Sequence, residues 1–138
     1  MKRVLLVGSF LTLCLSACQL APPEREPLRL LPEDRPPLPY AELLTRARIQ
    51  ATIATEAFYV DKWNDVDDSA QGLAQTARFL AKAQDVPPKQ KETLPQMSKD
   101  LSEEATKLSA AAKDKDAKKV NESLTRINQL VRELRLDQ

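Results

Sequence analysis

From Tyr40 onward, apolar residues recur every three or four positions along four successive segments of the chain. This spacing places them on one face of a helix, so each segment is predicted to be an amphipathic α-helix. The four stripes are Tyr40, Leu44, Ala47, Ala51, Ala54 and Phe58; Trp63, Val66, Ala70, Leu73, Ala77 and Leu80; Leu94, Met97, Leu101, Ala105, Leu108 and Ala112; and Ala117, Val120, Leu124, Ile127, Val131 and Leu134. We expect helices at about 40–59, 63–84, 89–112 and 116–136, forming an all-α four-helix bundle over residues 40–138.

Residues that start or stop helices lie between the stripes. The expected boundary residues are Asp61 or Asn64 before the second helix, Pro87 and Pro88 after it, Thr93 and Gln96 as a capping box before the third, and Asp114 or Asp116 before the fourth. A third helix that starts near Lys89 and is kinked at Pro95 fits the sequence equally well. Because the connections are short, neighbouring helices are predicted to be antiparallel, in up-down-up-down order.

The N-terminus has the order of a bacterial lipoprotein signal. Lys2 and Arg3 precede the apolar run Val4–Leu15, which is long enough for a signal peptide and too short to span a bilayer. The residues Leu15-Ser16-Ala17-Cys18 resemble a lipobox, which implies removal of residues 1–17 and attachment of lipid such as palmitate to Cys18. The alternative is an ordinary secretory signal with an unrelated cysteine. Gln19, in place of Asp, favours the outer membrane if the host is Gram-negative.

Residues 18–39 are predicted to be an extended linker after the lipidated cysteine. Seven of the ten prolines of the chain lie here, and this density is incompatible with a helix. As polyproline II, a free linker would reach on the order of 60 Å from the membrane. Its PxxP-like spacing is also compatible with a ligand for an aromatic groove, although a plain spacer is the preferred interpretation.

Composition narrows the chemistry available to the chain. The absence of histidine excludes Ser-His and Cys-His nucleophiles, histidine zinc sites and histidine-ligated haem. Two glycines cannot build a phosphate-binding loop, and 21 Lys and Arg against 20 Asp and Glu give no net attraction to nucleic acid. Cys14 leaves with the signal peptide and Cys18 carries lipid, so neither a disulfide nor a thiolate metal site is expected. We expect no enzyme activity, no cofactor, no metal and no nucleic-acid partner.

The acidic residues between positions 61 and 68 invite a metal-site interpretation. An EF-hand loop read from Asp65 has Ala70 and Thr76 where glycine and glutamate are required, so the match fails. Carboxylates near a helix N-terminus are favoured by the helix dipole, which accounts for the cluster without a metal.

Two stretches of the helical body carry a family likeness: Ala57-Phe58-Tyr59-Val60-Asp61-Lys62-Trp63 with the apolar positions after it, and Leu108–Ala112 with the fourth stripe. They resemble the four-helix bundles of the cytochrome c-prime and cytochrome b562 type. In c-prime proteins the last helix carries CxxCH, whereas the matching window Asn128–Arg132 has neither cysteine nor histidine. Met97 would lack a histidine opposite it as a haem ligand, so core packing is expected. The resemblance therefore implies a haem-less scaffold.

The sequence leaves two functional classes. The first is a membrane-anchored envelope lipoprotein, facing the periplasm, whose bundle is a structural or protein-interaction module for an envelope partner. The alternative is a noncovalent binder of haem or a small apolar ligand within the bundle, related to electron transfer. Fold-level likeness does not decide between them.

Overall fold

A computed structural model describes residues 25–135 of the chain. These residues form four α-helices and no β-strand, which confirms the all-helical prediction for this part of the protein. The helices are α1 (Tyr40–Tyr59), α2 (Trp63–Leu80), α3 (Leu94–Lys113) and α4 (Ala117–Glu133). A single 3₁₀ turn, Pro88–Gln90, lies between α2 and α3 within the described range.

The end of α2 differs from the prediction, because the helix ends at Leu80 and not near residue 84. Gln84 is paired outside the helix: its N–H donates to the Leu38 carbonyl oxygen, and its own carbonyl accepts from the Tyr40 N–H, both at 2.9 Å. Asp85 then adopts a left-handed conformation with φ of 54°. The N–H and the carbonyl of Gln84 are therefore bonded to Leu38 and Tyr40 and not to α2.

Of the two predicted starts of α3, the structure has the one after Thr93, with Pro95 in the first turn, and the start near Lys89 is wrong. Proline is tolerated there because the first N–H groups of a helix have no partner within the helix. The expected capping box is wrong, however. The Thr93 hydroxyl donates to the Gln90 carbonyl at 3.4 Å, and Gln96 donates to Asp100 at 2.6 Å.

The other two predicted caps have different outcomes. Neither Asp61 nor Asn64 caps α2; the cap position is Lys62, with no side-chain capping bond, and Asp61 takes a left-handed conformation in the turn. Asp116 does cap α4, because its carboxylate accepts from the Lys119 backbone N–H at 3.1 Å. This bond lowers the pKa of Asp116.

Burial follows the predicted stripes closely in α2, α3 and α4, and less closely in α1. In α1 the fully buried leucine is Leu43 and not Leu44, and Phe58 is only half-buried. In α4 Ala117 is exposed, while Leu130, outside the predicted stripe, is buried. The buried face of α1 is wider than the predicted stripe, because Gln50, Ile53 and Ala57 are buried as well.

Helix packing is closest around α2, which packs against both α1 and α3; α4 packs against α3 and, less extensively, against α1. The alanines of α1 allow close helix approach but contribute little apolar area each. The largest fully buried apolar side chains are leucine, isoleucine and valine, including Leu73, Leu101, Leu108, Ile127 and Leu130.

Candidate functional site

Cys18, the predicted lipidation site, lies outside the described residues, as do the lipobox and the predicted signal peptide. The described part of the linker, residues 25–39, will be called the N-terminal strap. It contains no helix and lies along α1 and α2. The strap is therefore the part of the predicted linker that the structure describes.

The middle of the strap is bound by a side-chain amide of α2. Leu31 donates its N–H to Oε1 of Gln75 at 2.7 Å, and Nε2 of Gln75 donates to the Leu31 carbonyl at 2.7 Å. Gln75 therefore satisfies both backbone groups of one extended residue, as a neighbouring β-strand would. Gln75 is itself buried, so the contact lies under the strap and not at an open surface.

A charged contact adjoins this amide pair. The Glu33 carboxylate accepts from Arg78 at 2.8 Å and from Gln75 at 3.1 Å. The Gln75 hydrogen bond, followed by the Arg78 hydrogen bond, lowers the pKa of Glu33. The charged carboxylate is therefore the form that binds α2.

The two ends of the strap are also attached. Arg25 forms an ion pair with Glu56 at 3.5 Å, in the last turns of α1. At the other end Leu38 is buried in the core, and its carbonyl accepts from Gln84. Between them Arg46 donates to the Arg29 carbonyl. The strap thus runs back along α1, from the last turns of that helix to its first.

These contacts change the interpretation of the proline-rich linker as a plain spacer. The strap contains no helix, as its prolines predict, but it turns once, where the Arg35 N–H donates to the Pro32 carbonyl at 3.2 Å, and it is not separate from the bundle. The reach of about 60 Å assumed an unattached linker, and attachment removes residues 25–39 from that reach. No sequence motif predicted this contact, because Gln75 lies 44 residues from Leu31 in the chain.

No protein-family model, curated protein or solved structure matches this chain. Within residues 25–135, none of the helices is both long and apolar enough to cross a bilayer. That same part of the chain contains no group of three His, Cys, Asp or Glu side chains arranged to hold a metal ion.

A buried polar contact lies between α1 and α2. The Thr76 hydroxyl donates to Oε1 of Gln50 at 2.8 Å, and both side chains are fully buried. Gly72 lies against the Gln50 amide, so a larger residue at this position would displace it. Sequence reasoning missed Gln50 because it falls between stripe positions, where a glutamine is expected to be exposed.

The turns before α2 and before α4 lie next to each other at one end of the bundle. Asp61 and Lys115, one in each turn, both have left-handed backbones and line the same surface depression. Asp67 accepts from the Ser109 hydroxyl and lies 3.8 Å from the Lys113 amine. Among the acidic residues near the start of α2, Asp67 thus forms interhelical contacts. We call this region the turn end.

The turn end also carries exposed apolar side chains. Tyr59 is 77% exposed and Val60 is 61% exposed. The Phe58 ring meets the Trp63 indole edge to face, with centroids 5.9 Å apart, and both rings are half-buried. Phe58, Tyr59, Val60 and Trp63 will be called the turn-end patch.

The opposite end of the bundle is closed by buried groups, and we call it the sealed end. Tyr40, the first residue of α1, is almost fully buried and donates its hydroxyl proton to the Leu134 carbonyl just beyond α4. Burial raises the pKa of this phenol. Leu80 and Leu94, at the end of α2 and the start of α3, are buried in the same core.

The interior of the bundle bears on the ligand-binding alternative. Its core positions are filled mostly by aliphatic side chains, together with Tyr40 and Phe79, and Met97 is partly buried against them. The depressions between helices, such as that lined by Arg48, Thr52 and Arg132, open to the surface. A haem-sized ligand would have to displace core side chains, which are close-packed in folded proteins.

Proposed function

We propose that the protein is a non-enzymatic envelope lipoprotein, held by lipid on Cys18 with its helical bundle facing the periplasm. The bundle serves as a structural or protein-interaction module for an envelope partner. The lipobox-like residues Leu15–Cys18, placed directly after an apolar run of signal-peptide length, support this proposal.

The structural observation that supports a position of the bundle near the membrane is the attachment of the strap. Arg25 pairs with Glu56 at the exposed surface of α1, and in this arrangement the residues from Cys18 to Arg25 separate the lipid from the bundle. Seven residues span at most about 25 Å even when fully extended. The proposed lipoprotein therefore keeps its bundle close to the membrane, where a partner in the same membrane can meet it.

We further infer that the four helices alternate in direction. Contacts between opposite termini support this: Tyr40, which starts α1, bonds to Leu134 after α4, and Asp67, near the start of α2, bonds to Ser109 near the end of α3. The pair of Thr76 and Gln50 fits an antiparallel α1 and α2. The likeness to c-prime bundles stays a hypothesis about this scaffold and brings no haem chemistry with it.

Replacement of Cys18 by Ser tests the anchor. In cells fed a palmitate analogue, the parent should be labelled and recovered with membranes, whereas Cys18→Ser should be unlabelled and should keep its signal peptide. Cys14→Ser is the matched control, because it removes a thiol four residues away, inside the predicted signal peptide. Equal labelling of Cys18→Ser and the parent would overturn the proposed function.

A further inference from the structure

We propose that the turn-end patch lies against the headgroup layer of the membrane that holds the lipid of Cys18. This inference rests on the proposed lipid anchor and adds the face of the bundle that meets the membrane and the chemistry of that contact. The partner is a zwitterionic phospholipid surface.

Exposure of the patch is the first observation. Among residues 25–135 the large hydrophobic side chains that are exposed are Leu30, Ile49, Tyr59 and Val60. Tyr59 and Val60 are the two most exposed, and they are adjacent at the end of α1. The apolar area that these two side chains leave in water does not stabilise the fold. Its removal from water by another surface is therefore favourable.

The chemistry of the patch suits a membrane interface. Tyrosine and tryptophan have an apolar ring and a polar group, and both are enriched where hydrocarbon meets headgroups. Trp63 supports the patch from the first turn of α2, with the Phe58 ring packed against it. The turn-end patch therefore presents an aromatic surface at the extreme end of the bundle.

The tether places this end next to the anchor. Glu56, the partner of Arg25, precedes Tyr59 by three residues, which is about 4.5 Å of helix rise. The seven residues back to Cys18 add at most about 25 Å. The sealed end lies the length of α1 away, about 30 Å farther along the bundle. The anchor thus favours contact through the turn end.

Charge at the turn end does not select anionic lipid. Lysines and aspartates alternate between α3 and α4, from Lys113 to Asp116, and Asp61, Lys62 and Asp65 adjoin Trp63 in the turn before α2. Lys113 faces Asp67 at 3.8 Å, and Lys119 faces Asp116 at 3.0 Å. Because acidic and basic groups are interspersed, the attraction must come from the aromatic and apolar groups. It should therefore persist in salt that screens surface charges.

Trp63 is the single tryptophan of the chain and reports the contact directly. The full lipidated protein is reconstituted into vesicles of phosphatidylcholine and phosphatidylethanolamine, some with acyl chains brominated near the headgroups. We expect Trp63 fluorescence to be quenched by the brominated lipid at both low and high salt. The Tyr59→Ser/Val60→Ser variant should lose this quenching, and Leu30→Ser, a change at an exposed leucine of the strap, should keep it.

Each result decides one of the two proposals. Labelled, vesicle-bound protein whose tryptophan is not quenched, or whose quenching is equal in the Tyr59→Ser/Val60→Ser variant, overturns the membrane contact and leaves the anchor intact. Quenching that disappears in high salt also overturns it, because the contact would then be electrostatic. A blue shift that grows with protein density, without quenching, assigns the patch to a second copy instead. Failure of labelling and of vesicle binding counts against the anchor itself.

Discussion

The two ends of the bundle are built differently. At the sealed end, leucines from several helices are buried together, and the Tyr40 hydroxyl satisfies the carbonyl of Leu134. At the turn end, Tyr59 and Val60 face outward, and the helices meet through polar contacts such as that of Asp67 with Ser109. The sealed end therefore keeps its large apolar side chains inside the core, while the turn end leaves apolar surface available for a contact outside it.

The strap connects these two ends. It enters the core at Leu38 beside the sealed end and reaches Glu56 near the turn end through Arg25. Its polar attachments at Gln75 and Arg78 lie between the two. A lipid placed before Arg25 is therefore directed to the turn end, even though the strap joins the helices at the sealed end.

The largest expected effect on the free energy of unfolding is that of shortening a buried leucine at the sealed end. Leu80 is fully buried at the sealed end, so Leu80→Ala should lower the free energy of unfolding by about 2–5 kcal/mol. Val60→Ala at the turn end should change it by no more than about 0.5 kcal/mol. Urea unfolding followed by circular dichroism measures both, and equal losses would show that the two ends do not differ in this way.

The two tyrosines offer a matched pair. Tyr40→Phe removes the donor to the Leu134 carbonyl and leaves that oxygen without this bond, at an expected cost of about 1–3 kcal/mol. Tyr59→Phe removes the same hydroxyl from an exposed ring and should be neutral. Thermal melts of both variants provide the comparison. A neutral Tyr40→Phe would mean that the sealed end does not depend on this bond.

The strap is expected to loosen when its amide partner is removed. Gln75→Ala deletes both hydrogen bonds to Leu31, and at about 1 kcal/mol for one such bond the Leu31 amide should exchange roughly fivefold faster or more. Gln71→Ala, one turn earlier on the exposed face of α2, is the control. Hydrogen exchange at Leu31 is the measurement, and equal rates in the two variants would exclude this attachment.

Lowering the pH is expected to have a smaller effect on the attachment of the strap. Because the strap contact holds the pKa of Glu33 below its ordinary value of 4.5, this contribution is fully present above that pH and is lost as the pH falls through the lowered pKa. Leu31 exchange, corrected for the intrinsic pH dependence, should therefore rise in that acidic range. Glu33→Gln should remove the pH-dependent part, while a change of equal size in that variant would assign it to another group.

Much of the helical body could be predicted because its signals are local. The three- and four-residue spacing located the helices, and Asp116 was readable as a cap because its partner is only three residues away. The end of α2 could not be predicted from the sequence, because it depends on hydrogen bonding between Gln84 and Leu38, which are distant in sequence. A prediction from local helix propensity does not include such a contact, and it therefore placed the end of α2 too late in the chain.

The candidate site divides in the same way. Cys18 could be proposed from four adjacent residues, and its lipidation stays a prediction. The attachment of the strap could not be foreseen, because proline density indicates an extended chain without indicating what it lies against. Gln75 had no signal beyond being a polar residue next to the stripe of α2, and only the packing of the strap reveals its role.

The most direct test of the account is the distance of the two bundle ends from the membrane. Lys118, near the turn end, and Lys91, near the sealed end, are both exposed, and each can be replaced by Cys and labelled with a fluorescent donor. With the lipidated protein on vesicles that carry an acceptor lipid, the account predicts stronger energy transfer from position 118 than from position 91. Equal transfer, or stronger transfer from position 91, would contradict it.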